Sequence, residues 1–152
     1  MEYTGERIVP KAMNPENGML REHIARYEFA KKYAKGRVLD IACGTGYGSE
    51  ILIKGNIDIE DYIGMDNDKE TIEYAKSHYA FFNASYFVED CLDTTLPQRY
   101  EQFDAIISME TIEHFHGDTL FLDNLHKMLK SGGKLIISTP FGRGVGEPCS
   151  CE

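Results

Sequence analysis

Three short segments of the chain concentrate residues able to do chemistry. The first, Val38-Leu39-Asp40-Ile41-Ala42-Cys43-Gly44-Thr45-Gly46-Tyr47-Gly48, sets an acid ahead of a glycine-rich turn. Glycines in such a turn let a ligand come close to the backbone, the arrangement used by nucleotide-binding folds. The dinucleotide fingerprint G-x-G-x-x-G is not met, because counting from Gly44 puts Ser49 last and counting from Ala42 begins without glycine. Asp40 would also repel a pyrophosphate, so NAD is disfavoured and a cationic ligand fits better. The second set is a pair of acids, Asp66 in Gly64-Met65-Asp66-Asn67 and Asp90 in Glu89-Asp90-Cys91. Ionised carboxylates there accept hydrogen bonds from hydroxyls and amines at roughly 1.5–3 kcal/mol each. Taken singly, Asp66 also reads as an acid at a helix N-terminus and Asp90 as a loop carboxylate.

The third segment is Ser108-Met109-Glu110-Thr111-Ile112-Glu113-His114-Phe115-His116. Glu110, Glu113 and His114 fall at i, i+3 and i+4, which share a helical face, and carboxylates with imidazole suit Mg, Mn or Zn. A fourth ligand is missing unless His116 or a residue past the end of the chain supplies it. Glu113 and His114 serve as well to order a loop, so no metal is expected. An imidazole such as that of His114 suits removal of a proton from a hydroxyl, since histidine side chains ordinarily titrate at about 6.5 in model peptides.

The elements that must position these groups follow from periodicity. Residues 1–19 lack it and contain Pro10, Asn14-Pro15 and Asn17-Gly18, which predicts an irregular arm. Leu20, Ile24, Tyr27, Ala30 and Ala34 then recur at helical spacing, with Gly36 as a stop. Residues 37–41 form an apolar strand that runs into the glycine turn, and residues 62–66 form a second strand. After it Asn67-x-x-Glu70 offers a capping box for a helix with Ile72, Ala75 and Tyr79 on one face. Residues 86–88 and 103–109 are further strands. A helix carrying Leu122, Leu125 and Leu129 ends at Lys130-Ser131-Gly132-Gly133, before a fifth strand at 134–138. Strands alternating with helices give a parallel sheet covered on both faces, a doubly wound α/β fold with its ligand at the carboxyl ends of the strands.

The 152 residues suffice for one domain and no more. With Lys+Arg 16 against Asp+Glu 25, the net charge of −9 opposes the phosphate backbone on which nucleic-acid affinity depends. No apolar run approaches the roughly 18 residues of a membrane span, and the start has no leader-like pattern. The cytoplasm is expected. Cys43, Cys91, Cys149 and Cys151 match no disulfide framework or complete zinc spacing and read as reduced thiols.

From about residue 20 to residue 140 the order of these motifs resembles the class I S-adenosylmethionine-dependent methyltransferases. Their glycine motif maps on Asp40 to Gly46, the acid closing their second strand on Asp66, and the acid after their third strand on Asp90. Residues 103–108 and 129–135 are similar to the signatures of their fourth and fifth strands. The resemblance implies a Rossmann-like sheet and S-adenosylmethionine as cofactor. It implies that Asp66 takes the ribose diol, that Asp90 beside Cys91 faces the adenine amine, and that Asp40 holds the α-amino group directly or through water. Gly44 and Gly46 would allow close approach, and Ala42, Cys43, Tyr47, Asn67 and Met109 would complete the cofactor site. Ala42 replaces the family's first glycine and is accommodated if its φ stays below zero. Arg7 or Arg26, ahead of the first strand, would pair with the cofactor carboxylate, though either also reads as a solvated surface group.

Residues 108–116 resemble a segment of methyltransferases of quinone biosynthesis and of small-RNA 3′ ends, in some of which two Glu and the His bind a divalent ion. The expected function is methyl transfer by in-line displacement to a small-molecule or glycan acceptor, at oxygen. A metal-dependent small-RNA 3′-end methyltransferase and a catalytically silent cofactor-binding module are the alternatives. Family members continue past the fifth strand with two more, which this sequence is expected to lack. An open edge on the fifth strand then suggests a homodimer.

Overall fold

The computed structural model describes residues 8–116 and 118–140. A turn of 3-10 helix at Pro10–Ala12 precedes α1 (Gly18–Lys31), β1 (Gly36–Ile41), α2 (Tyr47–Ile53), β2 (Ile59–Asp66), α3 (Lys69–His78) and β3 (Ala84–Val88). Then follow α4 (Leu96–Arg99), β4 (Phe103–Met109), a 3-10 turn at Ile112–His114, α5 (Asp118–Met128) and β5 (Leu129–Ser138). The five strands form one parallel sheet in the order β3-β2-β1-β4-β5. The doubly wound α/β fold is as expected. The order reverses between β1 and β4, which makes the carboxyl ends of these two strands the place for a ligand.

Alternation along each strand divides the core into two layers. Val38, Tyr62, Ala105 and Ile107 face the side covered by α1, α2 and α3, where Leu20, Tyr27, Leu52 and Ile72 are buried. Leu39, Ile63, Met65 and Ile106 face the other side, against Leu96, Phe121, Leu125 and Met128. Both faces of β1 and β4 are therefore apolar, which is why they read as unbroken hydrophobic runs. Among the described residues no helix is long and apolar enough to cross a membrane.

Four local expectations are corrected. The arm is packed where it reaches the sheet: Ile8 and Val9 are buried, and Thr45 Oγ1 donates to the Ile8 carbonyl at 2.7 Å. Asp68, not Asn67, caps α3, its carboxylate accepting from Thr71 N at 3.1 Å. The buried face of α5 is Phe121, Asn124, Leu125 and Met128, while Leu122 is 39% exposed and Leu129 already belongs to β5. Finally, the Gly132-Gly133 stretch lies within β5, where the register with β4 breaks between Phe103 and Ala105, instead of separating helix from strand. Arg7 and the trailing residues from 141, with Cys149 and Cys151, lie outside the described residues.

The turn after β1 carries a fifth correction. Ala42 has φ +58°, in the left-handed region, as do Gly44 at +56° and Gly46 at +81°. Alanine here bears the strain that glycine would avoid, about 1–2 kcal/mol before the greater freedom of glycine in the unfolded chain is deducted. Ala42→Gly should therefore raise stability by about 0.5–1 kcal/mol in denaturant unfolding. A loss of stability would show that the Ala42 methyl makes a packing contact worth more than its backbone strain.

Candidate functional site

The glycine turn is held from below and from the side. Below it, Asp40 is 0% exposed. Tyr27 OH from α1 lies 3.1 Å from both of its carboxylate oxygens, and Tyr62 OH from β2 donates to one of them at 2.7 Å. A Cβ built on Gly48 would lie 2.9 Å from the same carboxylate and 2.3 Å from the Tyr27 ring, so only glycine lets α2 start there. From the side, Asp66 accepts from Gly44 N at 2.9 Å with one oxygen and from Asp68 N at 3.0 Å with the other. One carboxylate thus fixes the turns after both β1 and β2.

Two cavities open at the carboxyl ends of the strands and meet at Ala42. The larger, about 390 Å³, has Ala42, Asp66, Asn67, Asp90 and Cys91 along one wall and Glu110, Thr111, His114 and Phe115 along the other. The smaller, about 160 Å³, is bounded by Cys43, Gly44, Tyr47 and Met109 together with His23, Tyr27, Thr45 and Ile8. Nine of the eleven residues that the resemblance assigns to the cofactor line one cavity or the other. Gly46 lies beneath the turn, where a Cβ would come within 2.6 Å of the Ala75 methyl. Asp40 is sealed under the turn, where its carboxylate serves the two tyrosines.

The carboxylates around the larger cavity differ in how far they are already used. Glu89 receives Arg99 Nη2 at 2.6 Å and Tyr100 OH at 2.7 Å. Glu110 Oε1 lies 3.4 Å from Arg26 Nε and accepts from Ser138 Oγ at 2.8 Å. Among the described residues the Asp90 carboxylate receives Leu92 N alone, at 2.8 Å, and Asp66 receives the two amides. Asp90 keeps the most capacity for donors on a ligand, and Asp66, although each of its oxygens already accepts an amide, shares with Asp90 the lack of a cationic partner among the described residues and keeps a second lone pair on each oxygen.

Arg26, one of the two arginines considered for a cofactor carboxylate, pairs within the protein with Glu110 and with Glu22 at 3.7 Å. Glu113 and His114 approach each other at 3.9 Å, and no three His, Cys, Asp or Glu among the described residues are grouped to hold a metal ion.

Sequence reasoning missed His23, Tyr27 and Thr45. The signal was available in part, since His23, Arg26 and Tyr27 at i, i+3 and i+4 share one face of α1. Each meets a different element: His23 Nδ1 lies 3.1 Å from Tyr47 OH, Arg26 reaches Glu110, and Tyr27 reaches Asp40. Burial, with the positive Arg26 adding to it, lowers the His23 pKa and favours neutral imidazole. Burial also pushes the Cys43 thiol well up and the Cys91 thiol up to about 11, so neither reads as a reactive thiolate.

Burial raises the Asp40 carboxyl from 3.8 to about 7, opposed by the hydroxyls of Tyr62 and Tyr27 and aided by the negative Asp66. The folded protein therefore holds this proton more tightly than the unfolded chain does. The resulting stabilisation is complete below the unfolded value and is lost as pH rises through about 7. In thermal denaturation between about pH 4 and pH 8, the wild type should lose melting temperature relative to Asp40→Asn as pH rises. Curves that stay parallel would contradict this assignment.

Comparison with known proteins agrees with this geometry. Residues 39–137 match the family model described as a methyltransferase domain. A probable S-adenosylmethionine-dependent methyltransferase of Mycolicibacterium smegmatis is 28% identical over 142 residues, covering 92% of this chain and 52% of the relative. The mitochondrial ubiquinone biosynthesis O-methyltransferase of Dictyostelium discoideum is 34% identical over 112 residues, covering 67% and 34%. The chain thus spans about half or less of the length of these curated relatives. Among solved structures, the N-methyltransferase NodS of Bradyrhizobium japonicum WM9, in complex with S-adenosyl-L-homocysteine, superposes with a TM-score of 0.62 at 22% identity, covering 81% of this chain and 63% of NodS. With the family model matched over residues 39–137, from β1 into β5, the chain belongs to the S-adenosylmethionine-dependent methyltransferases.

Proposed function

We propose that this chain carries the cofactor-binding part of an enzyme that methylates a hydroxyl of a small molecule or glycan. The observation that carries the reading is the pair of cavities joined at Ala42, one acidic and one lined by the glycine turn and α1. Their donor sets fit S-adenosylmethionine. Asp66 and Asp90 retain acceptor capacity for a ribose diol and an adenine amine, and the smaller cavity offers Thr45, His23 and the turn backbone to an amino-acid end. When bound, the cofactor supplies a methyl group activated on a sulfonium sulfur.

The residues of this chain then position and exclude. Asp66 fixes the turn that brings Gly44 to the ligand, and Met109 with Phe115 contributes apolar surface that keeps water from the reacting centre. His114 lines the larger cavity and its side chain is half exposed, which supports a role for its imidazole in taking the proton of an acceptor hydroxyl. Three features favour an oxygen acceptor of this class over RNA. Several relatives are named ubiquinone biosynthesis O-methyltransferases. The net charge of −9 also opposes a polyanion, and the commitment of Glu110 to Arg26 and Ser138 favours a metal-free site.

Calorimetric titration of the protein with S-adenosylhomocysteine should give one site, and titration with NAD should give none. Asp66→Asn should weaken binding of S-adenosylhomocysteine by about 1–3 kcal/mol through the lost charged acceptor. Tighter binding of NAD would overturn the cofactor reading, and an unchanged affinity in folded Asp66→Asn would confine Asp66 to holding the turn.

A further inference from the structure

The residue after β4 is strained. Glu110 has φ +50°, a left-handed conformation that costs a non-glycine residue energy and persists only where the surroundings impose it. Here the surroundings are specific. Glu110 N donates to the Ser138 carbonyl at 3.1 Å, Ser138 Oγ donates to Glu110 Oε1 at 2.8 Å, and Arg26 Nε lies 3.4 Å from the same oxygen. The Arg26 side chain is 25% exposed and that of Glu110 16%, so this is not one of the solvated surface pairs that contribute little.

The pair also joins two walls. Glu110 lines the larger cavity, whereas Arg26 sits on α1 between His23 and Tyr27, both of which line the smaller one. Ser138, the third partner, ends β5, so α1, β4 and β5 converge on one carboxylate.

We propose that Arg26 is a positioning residue: by clasping Glu110 it locks α1 to the turn after β4 and couples the two cavities, so that a ligand spanning both binds to a preassembled site. This rests on the cofactor reading above. Coupling is reciprocal, so a ligand that needs both walls in place favours the clasped form, and breaking the clasp weakens that ligand more than one filling the larger cavity alone. The clasp acts on the shape of the site, with no contact between Arg26 and the ligand required.

The test compares S-adenosylhomocysteine, which would span both cavities, with adenosine, which would fill the larger, by calorimetry well below the melting temperature. Arg26→Ala should weaken S-adenosylhomocysteine about fivefold or more while adenosine changes less than twofold. Arg26→Lys should restore most of the loss, and Arg26→Ala combined with Glu110→Gln should be no weaker than the weaker single variant. Binding unchanged within twofold in Arg26→Ala, equal weakening of both ligands, additive losses, or no recovery with lysine would each overturn the clasp. Failure of the wild type to bind S-adenosylhomocysteine would instead overturn the cofactor reading, and the inference with it.

Discussion

The arrangement depends on a carboxylate buried beneath the site. Asp40 lies at the end of the central strand, fully buried, and gathers Tyr27 from α1, Tyr62 from β2 and the close approach of Gly48 at the start of α2. Burying a carboxyl without partners would cost several kcal/mol, and the two phenol hydroxyls offset that by donating to it. The elements that supply those hydroxyls are thereby fixed relative to the glycine turn. Asp40 raises its own pKa by being buried and in exchange holds the floor of the site in one geometry.

On that floor the site is built from strain and from carboxylates in graded states of use. Ala42 and Glu110, the two described residues other than glycine with positive φ, both line the larger cavity. Strain of this kind survives where neighbouring bonds over-determine the backbone, and at both positions they do: Asp66 pins the turn beyond Ala42, and Ser138 pins Glu110. Glu89 and Glu110 are paired with Arg99 and Arg26, which leaves Asp66 and Asp90 as the carboxylates lining the cavity that have no cationic partner among the described residues. The cavity is therefore acidic without being a cluster of unpaired charges, a suitable host for a cationic sulfonium.

Much of the fold was legible because it is written in short-range pattern. β1 and β4 are apolar on both faces, and each predicted acid stands where a strand ends, so the sheet and the ring of site residues follow from the order of runs and turns. Contacts between distant segments were not legible. Nothing in Arg26 or Glu110 alone announces their pairing, and Tyr27 reads as a core aromatic until Asp40 is seen beneath it. The face of α5 was ambiguous for a simpler reason: Leu122, Leu125 and Leu129 satisfy helical spacing as well as Phe121, Leu125 and Met128 do, and the sheet selects the second set. The alanine at position 42 looked compatible with negative φ because a turn's dihedral is set by the strand and helix it connects, not by the residue it employs.

The most direct measurement is a crystal structure of this protein grown with S-adenosylhomocysteine. The account requires the ribose hydroxyls within hydrogen-bonding distance of Asp66, the adenine amine near Asp90, and the amino-acid end in the smaller cavity beside His23 and Thr45, with Asp40 still bonded to Tyr27 and Tyr62. A ligand bound elsewhere, such as the groove of Pro10, Ile24 and Ile51 between α1 and α2, or an Asp40 turned out of its pocket to meet the ligand, would contradict it.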